Sequence, residues 1–336
     1  MHVFSRLKSS IIICFLLSIV TFVIYSFLNI MVPLNIKKPV EVYVKKGMTF
    51  SETLQRLQAE GLIRDKNIVL LIAKITRIDR KIKTGLYEFS GPVSPLNVIN
   101  ALISGRVAEF DVTIPEGYNI RQIASTLDAA GIITEEQFFR LAYNRKFLDS
   151  MNIDAPSIEG YIFPDTYSFP RGMPPEDVLK TLVSEMRKHF TRGMKKRAEK
   201  LGLSEREVLT LASIIEKEAR VDDERPLISA VFHNRLKRGM PLQSDPTTIY
   251  GFKSPSGVIT IKDLKRESPY NTYVIRGLPP GPIASPGLKS IMAALYPADV
   301  PYLFFVSDNN GRHRFSTTEA EHRKAVMLYR EMKRGK

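Results

Sequence analysis

The chain has one cysteine in 336 residues, Cys14. That excludes an intramolecular disulfide, a CxxC redox motif and a cysteine metal cage, so the soluble part must be held together by burial alone. Histidine offers no more: His233 and His313 lack the paired spacing of a zinc site and read as structural. No metal and no cofactor is implied. Acidic residues are outnumbered, 35 against 49 Lys and Arg, for a formal charge of +14. Such an excess suits an anionic partner: membrane headgroups, nucleic acid or an acidic cell-wall polymer. The basic residues are scattered, however, and their densest run, HFTRGMKKRAEK, reads as a solvated helix face. Without a nucleic-acid motif beside it, nucleic acid is not an expected partner. Composition is that of a folded protein, and the length allows two domains.

Charge is absent altogether between Lys8 and Lys37, where the chain reads SSIIICFLLSIVTFVIYSFLNIMVPLNI. This is long enough to cross a hydrocarbon core of roughly 30 Å as a helix. A cleaved signal peptide would have an apolar region of only about 7 to 15 residues ending at a small-x-small site, and neither feature is present. The expectation is an uncleaved anchor: a tail over 1–8 and a transmembrane helix over 9–36. Arg6 and Lys8 precede the span while Lys37, Lys38, Lys45 and Lys46 follow it, so charge counting does not favour an inward N-terminus. A short cytoplasmic tail with the bulk outside is nevertheless the expected arrangement. A large following domain translocates largely regardless of charge, and the function inferred below requires that side.

The chain also repeats itself. VYVKKGMTFSETLQRLQAEGLIRDKNIVLLIAK, from Val42, aligns without a gap on VTIPEGYNIRQIASTLDAAGIITEEQFFRLAYN, from Val112, an offset of 70 residues. Val42/Val112, Gly47/Gly117, Leu57/Leu127, Ala59/Ala129, Gly61/Gly131, Ile63/Ile133 and Leu71/Leu141 are identical. Each copy reads as a strand, a Gly turn, a helix ended by Gly, and a second helix. The repeat continues at an offset of 80, LYEFSGPVSPLNVINAL from Leu86 matching TYSFPRGMPPEDVLKTL from Thr166. About ten residues are therefore inserted in the second copy. They fall around SIEGYIFPD, residues 157–165, which carries Glu159 and Asp165. Such an insertion is either part of an active site or a surface elaboration.

Ser204 followed by Glu207 forms a capping box ahead of EVLTLASIIEKEA and predicts a helix over 205–219. A second helix is expected around ERPLISAVFHNRLKRG. From Met240 to Pro297 the chain is rich in Pro, Gly, Ser, Asn and Tyr; YLFFVS, DNNG and HRFS then predict a strand, a turn and a strand before a basic terminal helix. On a helical net Val208, Leu211, Ala212, Ile215 and Ala219 form the apolar stripe. Glu218 borders it, beside Leu211 and Ile215. Glu216 lies about 200 degrees away and is expected to face solvent or a basic neighbour. An acid held against aliphatic groups has its pKa raised from about 4.3 toward neutrality, where it can donate and accept a proton; a helix-end glutamate can equally be solvated. Downstream, VFHNRL, LQSDPTTIYG, SPYNTY and GLPPGPIASPG place amides, hydroxyls and aromatic rings on Pro- and Gly-fixed backbone. Those groups suit a sugar, with its apolar ring faces and hydroxyl edges; the turn chemistry of a loop-rich fold accounts for the Pro and Gly alone.

EGYIFPDTY and, after it in this order, ASIIEKEA, VFHNRL, LQSDPTTIYG, SPYNTY and GLPPGPIASPG closely resemble the endolytic murein transglycosylase family (MltG, YceG-like). The resemblance covers nearly the whole chain. It implies an α+β protein: an N-terminal transmembrane helix, a LysM-like α/β module over 37–110, and a mixed α+β catalytic domain over 111–336 with a short helical core and loop-rich strands. The second repeat copy falls in 111–186. The implied activity is lytic cleavage of MurNAc–GlcNAc bonds within nascent peptidoglycan strands, giving 1,6-anhydro ends, with Glu218, the second glutamate of E-K-E, as catalytic acid. Gln243, Asp245, Tyr250, Tyr270, Asn271, Tyr273 and Ser285 are expected to line the glycan cleft, with Asn234 behind them and Glu159 and Asp165 as weaker candidates. Asp245 either orients a sugar N-acetyl group or caps a turn. The implied location is the outer face of the cytoplasmic membrane, with peptidoglycan synthases (penicillin-binding proteins) as partners. A hydrolytic muramidase and a non-catalytic wall-binding scaffold are the competing expectations.

Overall fold

The computed structural model describes residues 2–45, 47–105, 109–252 and 259–334, so Lys46 of the basic flank lies outside the described residues. The chain is mixed α+β and divides into two compact units, residues 1–110 with 168–173 and residues 111–167 with 174–336.

The first unit begins with α1 (His2–Met31), whose window Ile11–Met31 has a mean hydropathy of 2.8 and is long and apolar enough to cross a membrane. The helix ends at Met31 and not at residue 36. Pro33 disfavours helical geometry at Val32, and Leu34–Ile36 are already extended, opposite Val93, Pro92 and Gly91. Arg64 closes this end by donating to the carbonyls of Leu28, Val32 and Pro33 at 3.2, 2.8 and 3.2 Å. The remainder is β1 (Leu34–Val44), α2 (Phe50–Ala59), α3 (Lys66–Thr76), β2 (Gly85–Val93) and α4 (Pro95–Ser104). β1 and β2 pair antiparallel, Val42 opposite Tyr87. Val42, Leu54, Leu57, Leu62, Tyr87, Val98 and Leu102 close the core from the strands and helices together.

The repeat is visible in the second unit and its border as β3 (Glu109–Thr113), α5 (Ile120–Ala129), α6 (Glu135–Ala142), β4 (Thr166–Pro170) and α8 (Pro175–His189). Equivalent positions do the same physical work. Gly47 and Gly117 make the turn at φ 86° and 75°, Gly61 and Gly131 end the first helix at φ 71° and 68°, all in the left-handed region that glycine occupies at little cost. Thr49 with Glu52 and Asn119 with Gln122 form capping boxes at corresponding starts. α7 (Arg145–Ser150) follows α6, and the inserted residues form the loop that carries Glu159.

After α9 (Arg192–Leu201) comes α10 (Glu205–Glu218), capped as expected by Ser204 and Glu207, and α11 (Arg225–Lys237). The stretch expected to be loop contains three short helices, α12 (Asp245–Ile249), α13 (Ile261–Leu264) and α14 (Leu288–Leu295). α14 packs along α10, and α9, α11 and α12 also contact α10. Val208 through Ile215 are therefore all buried, and α10 is a central helix rather than one with a single apolar stripe. β5 (Phe304–Ser307) and β6 (His313–Ser316) form the antiparallel hairpin, packed by α15 (Glu319–Arg334).

Candidate active site

Glu218 is the last residue of α10, and Ala219 turns extended immediately after it. Its carboxyl group is partly buried, and Ser244 Oγ donates to its Oε1 at 2.5 Å. Burial pushes the Glu218 carboxyl up to about 7; the Ser244 hydrogen bond opposes the rise and the negative charge of Asp245 adds to it. Ser244 was not among the expected residues, because a serine in a Pro- and Thr-rich loop carries no distinguishing pattern. Its position is fixed by a closed set of bonds. Thr247 Oγ1 donates to Ser244 O at 2.6 Å, Ser244 N donates to Thr272 Oγ1 at 2.9 Å, and Thr272 N donates to Thr247 Oγ1 at 3.2 Å.

Behind that set lies Arg235, a buried guanidinium without a carboxylate partner among the described residues. Nε donates to Leu303 O at 2.7 Å, and Nη1 is shared by Leu242 O, Pro241 O and Gln243 Oε1 at 2.9, 3.2 and 3.1 Å. It therefore clamps the three residues that lead into Ser244. Gln243 sits at φ 51° within the clamp, its N–H donating to Thr272 O at 3.0 Å.

The expected cleft residues separate into those near Glu218 and those used elsewhere. Asp245 is exposed and accepts from Tyr273 Oη at 2.6 Å; both lie within electrostatic range of Glu218. Tyr250 and Tyr270 stack obliquely, ring centroids 4.6 Å apart, and Tyr250 Oη donates to Glu159 at 3.0 Å. Asn271 is fully buried, its Nδ2 shared among the carbonyls of Asp263, Leu264 and Arg266, so the side chain ends α13 and offers nothing to a cleft. Asn234 donates to Val300 O and Tyr302 O at 2.8 and 2.9 Å, behind the site and bound to backbone. Ser285 is buried with no partner for its Oγ among the described residues, while its N–H donates to Tyr118 O at 2.7 Å. Asp165 is exposed at the start of β4 and accepts from Thr166 N at 2.7 Å; no contact joins it to Glu218.

Glu216 does not face solvent. Its side chain is 6% exposed, pairs with Arg225 at 3.2 Å and accepts from Gly287 N at 3.0 Å. The basic-neighbour expectation holds, and the solvent one fails because α10 is surrounded. A Cβ at Gly287 would collide with the Glu116 carboxylate. His233 Nε2 bonds Ala294 O at 2.9 Å, and His313 Nδ1 bonds Glu224 at 2.7 Å.

Glu159 is 1% exposed and is the most buried of the expected residues' carboxyl groups. Both its oxygens accept from Ile120 N, the first residue of α5, at 3.1 Å. Burial pushes this carboxyl up to about 7, with the Ile120 and Tyr250 hydrogen bonds opposing the rise. Because the folded value lies above the unfolded one, its contribution to stability is fully present below about pH 4.5 and is lost as pH rises through 7. Replacing Glu159 with Gln should therefore leave stability relative to wild type lowest near pH 4.5 and raise it by several degrees of Tm toward pH 8, on a scale of about 2–4 °C per kcal/mol. Melting curves of both proteins over that range check this; a constant difference would mean that the carboxylate is not desolvated.

Comparisons with known proteins agree on one group over most of the chain. Residues 42–327 match the model of the YceG-like family. An endolytic murein transglycosylase of Bacillus subtilis is 31% identical over 316 residues, 89% of this chain and 87% of that protein. One of Streptococcus pneumoniae is 29% identical over 324 residues, 87% of this chain, which spans only 58% of that longer relative. The crystal structure of a putative YceG-like protein of Listeria monocytogenes, 31% identical, superposes with a TM-score of 0.59, covering 85% of this chain and 98% of that one.

Proposed function

Since the chain belongs to the YceG-like family, we propose that it is a membrane-anchored lytic transglycosylase that cuts MurNAc–GlcNAc bonds inside peptidoglycan strands and so terminates their elongation. The observation carrying this reading is the Glu218 carboxyl group, raised to about 7 and held by Ser244. Near neutrality such a group is present in both protonation states, as one residue acting as acid and then base requires. Protonated Glu218 delivers its proton to the glycosidic oxygen. Ser244 engages Oε1, leaving Oε2 for the substrate. As the leaving sugar departs, the muramic acid 6-hydroxyl attacks its own anomeric carbon, and the Glu218 carboxylate takes the hydroxyl proton. The 1,6-anhydro ring closes without water, and the tethered nucleophile avoids the entropic cost of a second molecule. Asp245 and Tyr273 flank the acid, and the Tyr250–Tyr270 pair supplies aromatic faces for sugar rings. Gln243 adds an exposed amide beside them.

A hydrolytic muramidase is the second reading, favoured by one feature, the exposed Asp245 carboxylate within electrostatic range of Glu218; a paired carboxylate activates water in ordinary glycosidases. The first unit, with its β1–α2–α3–β2 order, is taken as a LysM-like glycan-holding module. α1 is taken as a single-pass anchor in the cytoplasmic membrane with the rest on its outer side, where peptidoglycan synthases are the natural protein partners.

Incubated with long purified glycan strands, the protein should shorten them from within, so that average length falls before short end fragments accumulate. A wall-binding scaffold would co-sediment with the strands and leave their length unchanged.

A further inference from the structure

α3 is apolar on more faces than its packing uses. Of KNIVLLIAKIT, Ile68, Val69 and Ala73 are buried in the first unit, while Leu71 and Ile75, one turn apart, are 44% and 72% exposed. The duplication supplies a comparison within the molecule. Leu141, the counterpart of Leu71, is 7% exposed, because α6 is covered by α7 and α8. In the first copy the same position has no cover.

The chain beside this face is basic. Lys74, Arg77, Arg80 and Lys81 are exposed, and none of them forms an ion pair among the described residues. The face also sits at a defined height. Tyr25 Oη donates to Asp65, the N-cap of α3, at 3.2 Å, and Arg64 holds the last carbonyls of α1. Ile30 of α1 lines one small apolar cavity with Val69 and Ile72 of α3, Ile78, and Leu96 and Ile99 of α4. α3 is thus strapped to the final two turns of the helix that is taken to cross the bilayer. Twenty-one residues, Ile11–Met31, rise about 31 Å, close to one hydrocarbon thickness, so the end of α1 at Met31 lies where lipid headgroups begin.

We infer that the exposed face of α3, Leu71, Lys74 and Ile75, together with Arg80 and Lys81 in the loop that follows the helix, docks on the anionic lipid headgroups of the bilayer leaflet from which α1 emerges. Apolar side chains beneath basic ones are the pattern of a helix lying in a membrane interface, and each Lys or Arg near an anionic leaflet adds attraction. Docking would fix the first unit against the membrane instead of leaving it to swing on α1. This inference rests on the reading of α1 as an anchor.

The test uses the full-length chain with Cys14→Ala and Ile75→Cys, labelled with an environment-sensitive fluorophore and reconstituted into vesicles carrying a quencher at headgroup depth. With phosphatidylglycerol present the ratio of docked to undocked label, read from the quenching, should be at least about fivefold higher than in pure phosphatidylcholine, the effect of roughly one basic side chain. The gain should vanish in a Lys74→Glu, Arg80→Glu, Lys81→Glu variant that keeps the wild-type circular dichroism and melting temperature in detergent. A label that stays in water with anionic lipid, or one quenched equally in both lipids and in the charge-reversed variant, overturns the inference while the anchor stands. Release of the protein from vesicles by alkaline carbonate overturns the anchor and this inference together.

Discussion

Replacing Glu218 with Gln is expected to reduce glycan cleavage by about 10²–10⁴-fold, the range for loss of a general acid–base group, while making the folded protein more stable at neutral pH. The amide keeps the size of the side chain and can still accept the Ser244 hydroxyl through its oxygen. It can neither give a proton to the glycosidic oxygen nor take one from the muramic hydroxyl. The stability effect has the opposite sign for a definite reason. The folded protein holds the Glu218 proton up to about pH 7, above the ordinary glutamate value of 4.5. The wild-type carboxyl contributes stability that is complete below about 4.5 and is lost on approaching and passing 7. Gln escapes that loss, so the variant's relative stability should climb through this window and level off above it. Inactivity together with a lowered Tm at pH 8 would point to a damaged fold and not to a missing acid.

Arg235→Met carries the largest expected loss of stability. Four acceptors, Leu303 O, Pro241 O, Leu242 O and Gln243 Oε1, lose their donor in the protein interior. Leaving buried acceptors unsatisfied costs about 1–3 kcal/mol each at full desolvation. Some regain water near the exposed Gln243, and a net loss of about 3 kcal/mol or more is expected, lowering Tm by roughly 6–12 °C. Lys should rescue little, because one ammonium cannot reproduce the fixed fork that spans Leu303, just before β5, and the 241–243 segment. Assayed well below its melting temperature, the Met variant should have a lowered kcat, since the clamp sets the backbone that aims Ser244 at Glu218. Wild-type kcat in a folded Met variant would show that the Thr247–Thr272 bonds hold Ser244 unaided.

The sequence disclosed what local chemistry encodes and hid what depends on tertiary surroundings. Gly turns and the 70-residue repeat announced β1, α2, α3 and their copies, and the Ser204–Glu207 capping box announced α10. The end of α1 was misplaced because Leu34–Ile36 are uncharged like the helix before them, and pairing with β2 makes them a strand. α14 was missed because it has eight residues and starts after Gly287 with no side-chain cap. The solvent-facing alternative for Glu216 failed for a related reason. A helical net assumes one buried face, and α10 has neighbours all round. Asn271 looked like a sugar-binding amide until its Nδ2 was found on three carbonyls. Ser244, whose hydroxyl meets Glu218, left no trace in the pattern, since its role arises from a 26-residue separation closed only in the fold.

The central claim, that one carboxyl group cuts the strand with the sugar's own hydroxyl as nucleophile, is tested most directly by the mass of the new muramic acid ends when purified strands are cleaved in ¹⁸O-labelled water. The account predicts 1,6-anhydro ends free of the label. Reducing ends that carry solvent oxygen would contradict it and assign Glu218 to hydrolysis with Asp245 as its partner.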